Sequence, residues 1–325
     1  MVSSAKTFQT LVIIGNGFDM AHGYHTDYQS FVEKNPDSNL NWFRSYCEND
    51  ASITTWYFFE ENIKILTNKL FFKRVTEDYG CNDILNEGTQ LKHVYQEIQR
   101  LLIQYLKSES LRKPIVKLSS VEKYLNEKAK AINFNYTRIA EAYTSDVFYI
   151  HGSLNENDIV LGYDYRDEAC LMEYEDMRFS KILCRQGLSF RRFLRQECGL
   201  NSESEEYRRL ISGFESYQRG ENSGRGIDEE LKKSIPNYRF IEQFMKNYRV
   251  RNDIPDMDYK RISMLVVMGH GIEADQVFLK EIVSKCVNLQ EVIVFRYRGE
   301  DEDSIKKKMQ FFEPFCSNVG FEYYI

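Results

Sequence analysis

The sequence predicts an α/β fold in which helices cover both faces of a mostly parallel sheet. Short apolar runs, such as those at 11–14 and 264–268, alternate along the chain with longer amphipathic stretches. Strands that alternate with helices are typical of parallel sheets, because a parallel connection needs a crossover segment. The chain has 325 residues, of which 42% are hydrophobic. That length and composition suffice for a large core and exclude a disordered protein.

The predicted elements follow one another in a regular order. The residues at 11–14 are β-branched or leucine and end at Gly15, as expected for a buried strand that enters a glycine turn. A capping box at Thr26 and another at Ser119 each predict the start of a helix, the second of which runs to about 129. Further helices are predicted at 53–72, at 91–106, from Asp275 and at 304–312, and further strands at 131–134, 147–150, 159–162, 264–268, 291–297 and 321–325.

Strand patterns fall into three separate parts of the chain. We expect residues 1–35, 130–165 and 260–325 to form one α/β core. Two helical insertions, at 36–129 and 166–259, separate these parts, and the glycine-rich segment 219–226 in the second is predicted to be a surface loop.

Charge and hydropathy exclude several classes of protein. The net charge of −6 argues against general nucleic-acid binding, which needs a basic face. The arginines at 191–195 and the lysines at 306–308 are interpreted as solvated helix faces. Since the apolar runs are too short for a membrane span and the first residues lack a signal-peptide core, we expect a cytoplasmic protein that does not bind membranes.

The cysteine and histidine patterns do not predict a metal site. Seven cysteines include no Cys-x-x-Cys pair, and five histidines include no His-Glu-x-x-His pair. This spacing supports neither a disulfide framework nor structural or hydrolytic zinc. We therefore expect activity without a bound metal.

Three predicted strand ends carry residues that are typical of ligand sites. Gly15, Asn16 and Gly17 follow the first strand, where glycines permit either a plain tight turn or close approach to a phosphate. Gly269 and His270 follow a later strand. Because ligands of open α/β sheets bind at the carboxyl ends of the strands, these residues are candidates for one site.

Three polar side chains near these strand ends also have two interpretations. Asn135 and His151 can converge on one pocket, or they can be a turn-forming asparagine and a histidine with local hydrogen bonds. Asp275 can cap the next helix or accept hydrogen bonds from a ribose.

The order of these motifs resembles the AbiH family of bacterial phage abortive-infection proteins. The similarity is carried by the run from residue 11 to Gly23, by 134–137, by 150–153, and by Gly269, His270 and Asp275. That family is in turn similar to the sirtuin-like, Rossmann-like NAD-binding fold. Gly15, Gly17 and Gly23 match the sirtuin glycine motif, and His151 matches its catalytic histidine. The sequence departs from the sirtuin pattern at Asp19, where sirtuins have serine, and at Thr137, where they have aspartate.

The resemblance implies an enzyme that cleaves NAD as its substrate. It assigns catalysis to Asn135, which would orient the ribose and the attacking water, and to His151, which would act as general base. The resemblance also implies contacts to NAD for the remaining candidates. The pyrophosphate would bind at Gly15, Asn16 and Gly17, and the nicotinamide ribose would lie near Asp19. The adenosine would face Gly269, His270 and Asp275.

The implied function is that of an NAD glycohydrolase in antiphage defence. A non-catalytic sensor of NAD or a related nucleotide, or an ADP-ribosyltransferase, is the alternative, and measurement of nicotinamide release and of ribose transfer would distinguish them. Among partners, we expect the nucleotide, a phage-derived trigger and a second copy of the chain.

Overall fold

The computed structural model describes residues 10–35, 81–161, 181–196, 198–218, 255, 257–272, 275–297 and 300–325. The predicted helix at 53–72 and the predicted loop at 219–226 lie outside these residues. The chain divides into two compact units, the first formed by 1–62, 80–159 and 255–325 and the second by 63–79 and 160–254. The first unit includes residues 80–129, which the sequence analysis assigned to a helical insertion. The domain boundaries proposed above stay a prediction.

A six-stranded parallel sheet forms the centre of the first unit, which confirms the predicted α/β class. Its strand order is β3-β2-β1-β6-β7-β8. A separate two-stranded sheet pairs β4 with β5. The strands in chain order are β1 (Thr10–Ile14), β2 (Ala129–Asn133), β3 (Val147–Tyr149), β4 (Gly152–Ser153), β5 (Asp158–Ile159), β6 (Met264–Met268), β7 (Glu291–Arg296) and β8 (Val319–Tyr323).

The strand order reverses its direction between β1 and β6. From β1 the chain adds β2 and β3 on one side, and from β6 it adds β7 and β8 on the other side. β1 and β6 are themselves neighbours, with Ile14 paired to Met268 at their carboxyl ends. Crossovers leave such a reversal point in opposite directions and open a crevice there, where ligands of α/β proteins bind.

The central strands are buried on both faces. Leu11, Val12, Ile13 and Ile14 are fully buried, as expected for a β-branched run that helices cover on each side. Exposure alternates along the edge strand β8 instead, and Phe321 and Tyr323 are about half exposed. Both β2 and β8 begin two residues before their predicted starts. In each case the backbone hydrogen bonds to the neighbouring strand begin before the apolar residues from which the strand was predicted.

The strand predicted at 159–162 does not join the main sheet. Residues Asp158–Ile159 instead pair antiparallel with Gly152–Ser153. Asn157 at this tight hairpin has a φ of 51°, and Gly152 has a φ of 82°. A Cβ on Gly152 would lie 1.9 Å from the Asp158 carbonyl oxygen, so the close approach of the two strands requires glycine there.

Eight α-helices lie in the described part of the chain, and none of them is long and apolar enough to cross a membrane. They are α1 (Asn16–Ala21), α2 (Tyr28–Lys34), α3 (Cys81–Leu111), α4 (Ser119–Glu122), α5 (Lys181–Gln196), α6 (Glu205–Gln218), α7 (Gln276–Lys285) and α8 (Glu302–Phe312).

Neither predicted capping box forms. Asp27, rather than Thr26, caps α2, and its carboxylate accepts the Ser30 amide at 2.7 Å. The helix predicted from Ser119 to about 129 ends at Glu122, and no side chain caps its start. The Ser120 hydroxyl donates to the Ile325 carbonyl at 3.2 Å and accepts the Ile325 amide at 2.8 Å.

A buried carboxylate attaches the long helix α3 to the core. Glu109 is 4% exposed and accepts the backbone amide of His25 at 2.8 Å. Arg112 and Lys34 provide its counter-charges, at 2.8 and 3.8 Å. The Tyr105 hydroxyl donates to the His25 carbonyl at 2.6 Å, so the segment after α1 is held at two points.

In the second unit, α5 and α6 pack against each other through an apolar cluster. The rings of Phe190 and Phe214 are stacked with centroids 4.3 Å apart. Leu194, Tyr207 and Leu210 complete the buried cluster. These contacts account for the apolar faces of the two helices.

Candidate functional site

Strand register brings the three predicted groups of residues to one edge of the sheet. Asn133 at the end of β2 is paired with Tyr149 at the end of β3. Asn135 and His151 each lie two residues beyond that pair. On the other side of β2, the end of β1 is paired with Asn133 and with Met268 of β6. The loops after β1, β2, β3 and β6 are therefore neighbours at the point where the strand order reverses.

The glycine loops after β1 and β6 pack directly on each other, backbone against backbone. The Gly15 amide donates to the Met268 carbonyl and the Gly17 amide to the Gly269 carbonyl, both at 2.9 Å. A Cβ on Gly17 would lie 2.8 Å from Gly269 Cα. Gly269 has a φ of 68°, and a Cβ there would lie 2.1 Å from the Phe18 nitrogen. Glycine is required at these positions because the two loops leave no room for a side chain.

This packing gives the glycines a structural role that the sequence analysis did not separate from nucleotide binding. The amides of Gly15 and Gly17 already donate to the neighbouring loop. Contact of Gly15, Asn16, Gly17 and Gly269 with a pyrophosphate or an adenosine stays a prediction.

Hydrogen bonds fix the orientation of the Asn135 side chain. Its Nδ2 atom donates to the Gly15 carbonyl at 2.9 Å and to Asp19 Oδ1 at 2.8 Å. Its backbone amide donates to Asn133 Oδ1 at 2.9 Å. Since the two amide protons are used, Oδ1 is the side-chain atom left to contact a ligand, and it can only accept a hydrogen bond.

Asp19 is a buried acid beside that asparagine. It is 1% exposed, and its Oδ2 accepts the Thr137 hydroxyl at 2.6 Å. Burial raises the pKa of the Asp19 carboxyl to about 7, although the hydrogen bonds from Thr137 and Asn135 favour the charged form. Asp19 and Thr137, which are two of the positions where the expected sirtuin pattern is not kept, therefore contact each other.

Two histidines face one carboxylate at the same edge. His151 Nε2 lies 3.5 Å from Asp275 Oδ1, and His270 Nε2 lies 3.6 Å from Asp275 Oδ2. The three side chains are at most 6% exposed. Asp275 occupies the N-cap position of α7, but its side chain does not cap the helix. The helix-cap alternative is therefore wrong, and an adenosine contact of Asp275 or His270 stays a prediction.

Phe134, which the sequence analysis did not single out, packs between the two histidines. Its ring centroid lies 5.3 Å from that of His151 and 4.3 Å from that of His270, with steep interplanar angles. Its position in the sequence could have indicated this role, because Phe134 lies between Asn133 and Asn135 at the end of a strand, where successive side chains point to opposite faces of the sheet.

His22, next to the predicted site, has only structural contacts. Its Nδ1 lies 2.7 Å from the Phe18 carbonyl oxygen and its Nε2 2.6 Å from the Tyr143 hydroxyl. Burial lowers the pKa of His22, so the ring is neutral at pH 7. This histidine joins α1 to the segment before β3.

Comparison with known proteins identifies the family of the chain. The family model described as bacteriophage abortive infection AbiH matches residues 11–297, which include every candidate site residue named above. No curated protein and no solved structure matches the chain significantly. The likeness to sirtuins stays a prediction. Because the family model covers most of the sequence, the chain belongs to the AbiH family, whose role is phage abortive infection.

Proposed function

We propose that this AbiH protein acts in abortive infection by hydrolysing NAD to nicotinamide and ADP-ribose. The observation that carries the proposal is the fixed amide of Asn135, which presents an acceptor oxygen at the reversal point of the sheet. His151 follows the adjacent strand at the same level. Such crevices are where α/β proteins bind nucleotides.

The reaction depends more on the positioning of the ribose and the attacking water than on an acid that protonates the leaving group. The bond between ribose C1′ and nicotinamide breaks through a cation-like ribosyl state, and nicotinamide leaves with the bonding electron pair. Asn135 Oδ1 would accept a hydrogen bond from a ribose hydroxyl or from the attacking water. His151 would take a proton from that water as its oxygen bonds to C1′. The products are nicotinamide, ADP-ribose and one proton.

The contact between Thr137 and Asp19 favours turnover over the sensor alternative. A sensor would be favoured if the absence of the sirtuin serine and aspartate at positions 19 and 137 removed the catalytic groups. Here a carboxylate and a hydroxyl are both present and hydrogen-bonded at 2.6 Å, with Asn135 bound to the same carboxylate. The chemical groups that would hold the asparagine are therefore retained.

The test is direct measurement of nicotinamide released from NAD by the purified protein. We expect release by the wild type and its loss in Asn135→Ala and in His151→Ala. Exposed residues of the same types provide matched controls, Asn155→Ala and His93→Ala, which should retain turnover. Thermal melts must show that the inactive variants are folded. EDTA treatment should leave turnover unchanged, as expected if no metal takes part.

Each alternative has its own outcome in this assay. NAD binding without nicotinamide release would identify a sensor. Release accompanied by labelled ribose on a protein or nucleic acid would identify an ADP-ribosyltransferase. If the wild type neither binds nor cleaves NAD, alone or in lysate from phage-infected cells that supplies a trigger, the proposal is wrong.

A further inference from the structure

We propose that Asp275 is a positioning residue that sets the orientation and proton affinity of His151, with His270 as its second partner. The inference rests on the proposed function, in which His151 is the general base. It gives Asp275 and His270 a role other than the adenosine contact expected from the sequence.

The geometry of the carboxylate is the first argument. Each oxygen of Asp275 faces the Nε2 atom of a different histidine, Oδ1 at 3.5 Å from His151 and Oδ2 at 3.6 Å from His270. The Asp275 side chain is 6% exposed, so its charge is removed from water. A buried carboxylate is costly unless polar partners compensate it, and the two imidazoles face it at ion-pair rather than hydrogen-bond distances.

The fixed tautomer of His270 is the second argument. The Ile272 amide donates to His270 Nδ1 at 2.9 Å, which requires a lone pair on that nitrogen. The proton of the neutral ring is then on Nε2, the atom that faces Asp275. His270 therefore presents a donor to the carboxylate.

The backbone that supplies this amide is strained. Ile272 has a φ of 68°, a conformation that is unfavourable for a β-branched residue. Such strain costs about 1–3 kcal/mol and persists only where the surroundings enforce it. The strained residue lies in the same turn between β6 and α7 that positions His270.

Phe134 limits the movement of both imidazoles. Its ring is nearly perpendicular to that of His151, at 89°, and lies at 71° to that of His270. Since Phe134 follows β2 directly, it connects the histidine pair to the strand that presents Asn135. Asp275 faces His151 directly, and His270 faces the other oxygen of the same carboxylate.

The arrangement has a defined chemical consequence. A carboxylate beside Nε2 of His151 favours the proton on that nitrogen and leaves Nδ1 as the basic atom. When Nδ1 takes a proton from the attacking water, Asp275 stabilises the imidazolium, and no proton needs to move to Asp275. Removal of this charge should make His151 a weaker base.

The experiment measures the protonation of His151 apart from turnover. Imidazole nitrogen NMR of the whole chain gives the pKa of His151, with the signal assigned through His151→Ala. In Asp275→Asn, which keeps the shape but removes the charge, the pKa of His151 should fall by about one pH unit. The acidic limb of the kcat/KM profile for NAD should move by the same amount, and KM should change little. Asp301→Asn, the same change at the start of α8, should change neither.

A second variant should shift the pKa in the opposite direction. In His270→Asn the amide oxygen can still accept the Ile272 amide, but the donor to Asp275 is lost. The carboxylate then has one donor fewer, so the pKa of His151 should rise. An unchanged His151 pKa in a folded Asp275→Asn protein would overturn the proposal, and a raised KM with an unchanged pH profile would instead indicate the adenosine contact. If the wild type does not cleave NAD while the NMR shifts occur, the function is wrong and the histidine–carboxylate coupling stands.

Discussion

Thr137 donates its hydroxyl proton to Oδ2 of Asp19 at 2.6 Å, and this contact joins the loop after β2 to the first turn after β1. The other oxygen of the same carboxylate accepts the Asn135 amide at 2.8 Å. Asp19 therefore holds two residues of the β2 loop in fixed positions. The acid is therefore part of the framework of the candidate site.

We predict that exchange of these two residues is tolerated better than either single change. Asp19→Ser removes the acceptor of Asn135, and NAD turnover should fall about 10²-fold as positioning is lost. Thr137→Asp adds a second buried carboxylate beside the first and should lower the free energy of unfolding by about 3 kcal/mol. The double variant contains one acid and one hydroxyl again.

Comparison of the four proteins in a double-mutant cycle tests this prediction. Turnover and unfolding should both show a favourable interaction between the two substitutions. Strictly additive losses would mean that the hydrogen bond between Thr137 and Asp19 has no energetic importance.

The stability of the protein should depend on pH through Asp19. The pKa of this carboxyl is raised from 3.8 to about 7 by burial, so the folded state binds a proton that the unfolded state has lost between these values. Stability contributed by that proton is complete below pH 4, falls as the pH rises to about 7, and is lost above it, at up to about 1.4 kcal/mol per pH unit.

The matched comparison is with Asp19→Asn, which resembles the protonated acid at every pH. Melting temperatures of the two proteins should be most similar below pH 4, and the wild type should become progressively less stable than the variant between pH 4 and 7 and remain so at pH 8. Parallel curves over this range would show that Asp19 is charged throughout.

Asn135 and His151 should act as one unit in catalysis. Each alanine variant should lose about 10² to 10⁴ in rate, and the double variant should be little worse than either single one. The same variants should lose phage protection in cells while their expression and melting temperatures stay near those of the wild type. If the folded single variants retain turnover, or if their losses multiply, the pair is not the catalytic centre.

Substitutions of the packed glycines should affect folding before they affect binding. In Gly269→Ala the new methyl group would meet the Phe18 backbone at 2.1 Å in a left-handed conformation, and in Gly17→Ala it would meet Gly269 Cα at 2.8 Å. We expect losses of at least about 2 kcal/mol for the first and smaller losses for the second. Gly271→Ala is the control, because a Cβ there has no atom within 4 Å in the described structure.

Urea unfolding of the three variants would establish the order of these losses. Because a side chain on Gly17 would disturb the contact between the two loops, substitutions of Gly17 change folding as well as any nucleotide binding. If Gly269→Ala were as stable as Gly271→Ala, the two loops would not be packed as described.

The sequence alone determined the fold class and most of the elements that form the site. Continuous apolar β-branched runs such as 11–14 and 264–268 specify buried parallel strands, because only a strand covered on both faces lacks polar alternation. From parallel strands it follows that residues after the strand ends lie at one edge, and Asn135 and His151 do lie there. Local sequence patterns were therefore sufficient to predict the strands and the residues that follow them.

Only the tertiary structure decided which side chains at that edge contact each other. Whether Gly17 faces a phosphate or the backbone of Gly269, and whether Asp275 caps a helix or faces two histidines, depends on contacts between loops that are far apart in the chain. The capping box at Ser119 failed for the same reason, since the Ser119 hydroxyl donates to the distant Ile325 carbonyl at 3.4 Å, whereas at Thr26 the neighbouring Asp27 provides the cap. Hydrogen bonds of similar strength compete for each polar group, and their balance is set by packing, which no local pattern contains.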